Sequence, residues 1–271
     1  MDYTLKEMLK KRPVVYSVAL TLVIVAVLFP SAFFRSAFTD SWAQSMIADG
    51  VIRLLLGLAS MYILGIIIGK SGFKFSFSSK GSKKALAASG VMFIYVFAAM
   101  AFAITTLMNT GSIHGLGEFF AVMIPRDFVN GFFEEIIIRG VLMTAALYYF
   151  GDTVKGRLIV VFAAAAVFGL LHFTGGLFSI ITTFALGIGF AAAYAHSANI
   201  LVISVLHALI NLASGMMQVH RFGVENPLEN NLSVFLAIFG VYLVVVVITG
   251  VIFTIKAQPF SEQLEKSEVL R

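Results

Sequence analysis

The chain has 271 residues, 59% hydrophobic and only 12% charged, with a mean hydropathy of +0.96. Soluble domains carry roughly 25% charged residues, so an ordinary soluble protein is excluded and a polytopic membrane protein is indicated. There is no cysteine, which excludes disulfides and thiolate metal sites. The net charge of +5 does not point to nucleic acid, because the basic residues sit in short segments between apolar runs, where they orient a protein in a bilayer.

A helix needs about 20 apolar residues to cross the hydrocarbon core. Apolar runs at 14–34, 51–69, 86–108, 127–150, 158–174, 177–197, 199–217 and 232–255 predict an all-α transmembrane bundle of about eight spans. Lys6, Lys10, Lys11 and Arg12 precede the first run, as they would precede a signal core. Pro13 to Phe34 is longer than such a core, however, and no small-residue cleavage site follows, so it reads as a retained span. Between Leu158 and His220 the chain has no Asp, Glu, Lys or Arg, and only Gly175-Gly176 and Ser197-Ala198-Asn199 divide that stretch. No internal repeat and no second domain are evident. Residues 1–271 read as one integral-membrane domain with a short polar end at 257–271.

The connection at 70–84 carries Lys70, Lys74, Lys80, Lys83 and Lys84 and no acid, and Lys155 and Arg157 fall two connections later. The alternate connections, 35–50, 109–118 and 218–231, are poor in Lys and Arg. By the positive-inside rule the basic connections are cytoplasmic, and with eight spans both termini are cytoplasmic too.

Against this apolar background, ionisable groups inside spans are functional-site candidates. The fourth span contains Phe132-Phe-Glu134-Glu135-Ile-Ile-Ile-Arg139. Glu135 and Arg139 are four residues apart and can pair along the helix. Glu134 is turned roughly 100° away from Glu135 and is left to face a cavity. Desolvated and beside another acid, it is a candidate general base for activating water. His172 ends the fifth span in Phe168-Gly-Leu-Leu-His172, and His207 and Asn211 share a face of the seventh in His207-Ala-Leu-Ile-Asn211. The histidines can orient that water. With Glu134 they can equally form a two-His, one-Glu zinc set, so Zn2+ is a candidate cofactor and no organic cofactor is expected. Asn211 offers an amide to a developing oxyanion.

Each residue also has a plainer reading. A lone histidine or asparagine in a membrane helix commonly bonds to a neighbouring helix. Glu135 with Arg139 is most simply a structural ion pair, and Phe168 is packing. Glu134 alone can belong to a proton pathway. These readings leave two alternatives to hydrolysis, a proton-coupled transporter and a non-catalytic membrane scaffold or immunity protein. A transporter would be expected to show repeated halves or matched broken spans, and the sequence has neither.

Taken in order, Glu134-Glu135-x-x-x-Arg139, Phe168-x-x-x-His172 and His207-x-x-x-Asn211 resemble the three motifs of the CPBP intramembrane protease family, which includes the type II CAAX prenyl endopeptidases and relatives linked to bacteriocin processing and self-immunity. The resemblance covers about 120–215. It implies an endopeptidase acting in the bilayer on a peptide or protein substrate that can be lipidated. It implies Glu134 as the catalytic glutamate and His172 as a group positioning the nucleophilic water. His207 and Asn211 would bind the oxyanion or, with the others, a metal. Glu135 and Arg139 would support Glu134. The chain lacks a His-Glu-x-x-His helix, the soluble zinc-protease layout. The predicted topology sets Glu134 and His172 in the middle or outer half of the membrane, whereas the resemblance implies access from the cytosol.

Overall fold

A computed structural model describes residues 11–12, 14–19, 21–23, 42–69, 71–228 and 232–266. The first expected span, 14–34, lies mostly outside the described residues. The described residues form helices and turns without a strand. The principal helices are α1 (Trp42–Ile68), α2 (Gly72–Ser76), α3 (Ser82–Asn109), α4 (Leu116–Glu135), α5 (Thr144–Phe150), α6 (Val154–Leu170), α7 (Gly176–Ser197), α8 (Ile200–Met216), α9 (Leu232–Lys256) and α10 (Phe260–Lys266). A π-helical stretch, Ile136–Met143, joins α4 to α5 without a break.

Among the described residues four segments are long and apolar enough to cross a membrane: Asp49–Ile68, Ser82–Asn109, Phe173–Ser197 and Leu232–Lys256. Ile200–Met216 is apolar but shorter. The polytopic helical bundle is therefore the observed fold. Its surface is inverted relative to a soluble protein. In α9, Leu243, Val246, Gly250 and Thr254 are buried at spacings of three or four, while Val241, Val244, Val245, Ile248 and Ile252 lie exposed. In α1, Leu64 is buried and Leu54, Leu55, Leu58 and Tyr62 face outward. An apolar stripe turned out rather than in is what a lipid-facing helix requires.

The helix from 116 to 150 is longer than the sequence predicts, starting eleven residues before the expected 127. At 1.5 Å per residue it reaches roughly 50 Å, more than the bilayer core, so it tilts or protrudes. The expected boundary followed the charged Glu118, Arg126 and Asp127, which do not interrupt the helix. α6 ends at Leu170, so His172 stands just past the helix end rather than inside it. The polar tail is also more than an end. In α10, Phe260 is fully buried against Tyr194, with ring centroids 5.7 Å apart, and Gln263 Nε2 donates to Ala195 O at 2.9 Å.

Connections alternate between the two ends of the bundle. At one end Asn199 caps α8, accepting from Val202 N at 2.8 Å, and its amide donates to Ser78 O (2.8 Å) and Lys80 O (2.6 Å). At the same end Arg157 donates to Gly151 O, and Ser261 to Asp152. Lys74, Lys80, Lys83, Lys84, Lys155 and Lys256 thus fall together. At the opposite end a small separate core of Ala103, Leu107, Met216, Val219 and Val224 ties α3 and α8 to the following turn.

Candidate active site

Close approach of four helices, in two pairs, builds the site. A Cβ on Gly131 of α4 would lie 2.9 Å from both Ser204 O and Ala208 N of α8, so only glycine lets these backbones meet. A Cβ on Gly187 of α7 would lie 3.2 Å from Ala165 Cα and from Phe168 of α6. The first contact brings Glu135 to His207. The second brings the Gly187 carbonyl to Arg139.

Glu135 and Arg139 are both 0% exposed. Glu135 Oε1 accepts from Arg139 Nη1 at 3.1 Å and from His207 Nδ1 at 2.8 Å. Arg139 Nη2 donates to Gly187 O at 3.3 Å, and its guanidinium lies over the rings of Phe168 (4.7 Å) and Phe190 (5.4 Å). A buried guanidinium is tolerable only when paired and hydrogen-bonded, and aromatic faces add attraction. The expected ion pair is therefore present, but Glu135 does a second thing that its spacing did not reveal: it holds His207.

The π-helical turn helps to fix this geometry. The Arg139 carbonyl accepts from both the backbone N–H and the Oγ1 of Thr144, five residues on, the latter at 3.0 Å. Thr144 Oγ1 also bonds Tyr194 OH of α7 at 2.5 Å. Looser winding of this kind recurs at functional sites.

Phe168 is the hub of the ring contacts. It meets His172 edge-on at 4.8 Å, His207 at 5.5 Å and Phe190 at 6.2 Å, and Phe190 stacks on His207 at 5.0 Å. Its place is packing, and that packing touches Arg139, His172 and His207 alike.

Glu134 is turned away from this buried pair. Its side chain is 23% exposed, against 0% for Glu135, so of the two acids only Glu134 is accessible. Its Oε2 is 3.7 Å from His207 Nε2. His207, Arg53, His172 and Arg139 all lie within electrostatic reach of the carboxylate. His172 is half-buried, and its Nδ1 lies 2.8 Å from Phe168 O. A carbonyl only accepts, so Nδ1 carries a proton, and in the neutral ring Nε2 is then an acceptor. Asn211 is half-buried one turn beyond His207 and makes no hydrogen bond among the described residues.

Two features were not anticipated. Glu134 does not stand free: Arg53 Nη1 of α1 donates to its Oε1 at 3.2 Å. The partner of Glu134, Arg53, also lines a cavity of about 310 Å³ whose other walls are apolar, among them Leu54, Met61, Phe77, Phe132 and Ile136. The signal was legible, since Arg53 is an ionisable residue inside the expected second span.

A zinc site needs several ligands converging on one point. Among the described residues no group of three or more His, Cys, Asp or Glu side chains is placed to hold a metal ion. As placed, Glu134, His172 and His207 do not form such a group.

The fold defines a polytopic helical membrane protein, and inside it Glu134, Glu135, Arg139 and His207 form one cluster. Residues 116–213 match the family model Rce1-like, described as Type II CAAX prenyl endopeptidase Rce1-like. The match spans all three motifs and both acidic residues, and it makes this segment similar to the CAAX-type intramembrane proteases. No curated protein and no solved structure matches the chain.

Proposed function

We propose that the protein is an intramembrane endopeptidase that hydrolyses a peptide bond with a water activated by Glu134. The observation that carries this reading is the division of labour between the adjacent acids. Glu135 is sealed against Arg139 and turns His207 so that its Nε2 faces the accessible Glu134 at 3.7 Å. A structural ion pair alone would not need a histidine held in that pose.

In this mechanism Glu134 takes a proton from water as the oxygen attacks the scissile carbonyl. His172 Nε2 accepts from the same water and aims it. The Asn211 amide faces the carbonyl oxygen and donates to the charge that develops on it, and His207 adds a second donor through Nε2 in its doubly protonated form. The C–N bond then breaks, and the proton held by Glu134 passes to the leaving amine. The apolar cavity beside Arg53 suits a substrate with a hydrophobic or lipidated portion, and the family match supports a prenylated peptide as the first to try. By the positive-inside rule we read the basic end of the bundle as cytoplasmic, and with eight spans both termini with it.

The test is cleavage of a farnesylated fluorogenic peptide with a free C-terminus by purified protein in phospholipid vesicles. Glu134→Gln should remain folded and lose cleavage. Equal rates for wild type and Glu134→Gln would remove the proposal. Elemental analysis of the active preparation reports separately on whether an ion joins the side chains.

A further inference from the structure

Arg53 lies outside both the three motifs and the matched segment, yet it makes the closest polar contact with Glu134. It stands on α1, 81 residues earlier in the chain. Its Nε donates to Asp49 Oδ2 at 3.0 Å, one turn back on the same helix, and Asp49 is buried. Its guanidinium also lies 5.7 Å from the centroid of the Phe133 ring. Arg53 is thus held on two sides before it reaches Glu134.

The consequence falls on the two oxygens of Glu134. Oε1 is taken by Arg53 at 3.2 Å, and Oε2 lies on the His207 side. A glutamate side chain has three soft torsions, and a base must offer one oxygen in one direction. The Glu135–Arg139 pair does not supply that restraint, because it is sealed on another face of the helix. Arg53 does. A planar fork suits this better than a point charge, because one guanidinium serves Asp49 and Glu134 at once.

We propose that Arg53, fixed by Asp49, is a positioning residue that clamps Glu134 Oε1 and leaves Oε2 as the oxygen that takes the proton from water. The proposal rests on the reading of Glu134 as the base. A merely structural tie between α1 and α4 would use the same contacts but would act on folding alone.

The experiment compares Arg53→Gln, Arg53→Lys, Arg53→Gly and Asp49→Asn with wild type and Glu134→Gln, using the farnesylated peptide in vesicles. Arg53→Gln should lower kcat per folded molecule by about 100-fold, the scale of a misplaced reacting group, and leave KM within about twofold. Arg53→Lys should recover part of that loss, and added guanidinium ion should partly rescue Arg53→Gly. Asp49→Asn should lose less, and should add nothing to Arg53→Gln. If Glu134→Gln is inactive while Arg53→Gln keeps wild-type kcat, the clamp is wrong and the base assignment stands. If Glu134→Gln retains wild-type activity, both fall. A second measurement needs no peptide: thermal unfolding in detergent of Arg53→Gln, Glu134→Gln and the double variant. Losses in Tm that fail to add show the pair to be coupled, and strictly additive losses overturn the clamp.

Discussion

Glu135 Oε1 lies 2.8 Å from His207 Nδ1, and this hydrogen bond fixes which ring nitrogen is turned toward Glu134. The same oxygen takes Arg139 Nη1 at 3.1 Å, so one buried atom anchors both the ion pair and the imidazole. Fold and chemistry meet there, and the two can be separated by mutation.

Arg139→Met removes one charge and leaves the Glu135 carboxylate unpaired at 0% exposure. Breaking a buried pair in this way costs about 3–5 kcal/mol. Glu135→Leu with Arg139→Met removes both charges and should recover much of that stability. It should not recover cleavage, because His207 has then lost its acceptor. Thermal unfolding in detergent beside peptide cleavage checks this. A double variant as unstable as Arg139→Met would contradict the account of the pair, and an active one would contradict the role given to the Glu135–His207 bond.

Phe168→Ala should be destabilising by about 3–5 kcal/mol, the range for emptying a buried aromatic site. It should also lower kcat by more than packing loss elsewhere would, because His172, His207 and Arg139 all rest on that ring. Phe190→Ala is the comparison. It touches His207 and Arg139 but supports His172 only through Phe168. The check is kcat per folded molecule at a temperature where both variants are folded. The expected order is wild type above Phe190→Ala above Phe168→Ala.

Asn211→Ala should fold normally, since Asn211 bonds to nothing among the described residues. If its amide meets the oxyanion, kcat falls by about 10²–10³ with KM little changed. A helix-packing role predicts the reverse, a lower Tm with unchanged kcat. Steady-state kinetics and unfolding of the one variant decide between them.

Much of this was legible in the sequence because the membrane makes polar residues conspicuous. Glu134, Glu135, Arg139, His172, His207 and Asn211 stood out against apolar runs, and α7, α8 and α9 begin and end within a residue of the predicted 177–197, 199–217 and 232–255. The partnerships between helices were not legible. Helical spacing speaks to neighbours on one helix, so it gave Glu135–Arg139 and missed His207–Glu135 and Arg53–Glu134, which depend on how close Gly131 and α1 let the backbones come. Nor does spacing register a docked tail, since its anchors Ala257, Phe260 and Gln263 show no apolar stripe in a polar segment.

The site's depth makes a final prediction about sides. His172 lies at the end of α6 opposite to Lys155, and Glu134 sits near mid-helix between residues 116 and 150. The lysines of the 74–84 region share their end with Lys155 and Lys256. Because the chain has no cysteine, single cysteines report on this without background. In intact cells a membrane-impermeant maleimide should label Glu225→Cys and leave Lys83→Cys and Lys155→Cys unlabelled until the membrane is opened, since all three positions are exposed on the molecule and the basic end stays inside. His172→Cys should then be reached from the same side as Glu225→Cys, which would put the entrance for water on the outer face. Labelling of Lys83→Cys from outside would invert the topology. Labelling of His172→Cys only after permeabilisation, with Glu225→Cys still open to the outside, would mean that the site is entered from the cytosol through the bundle rather than at the end where His172 stands.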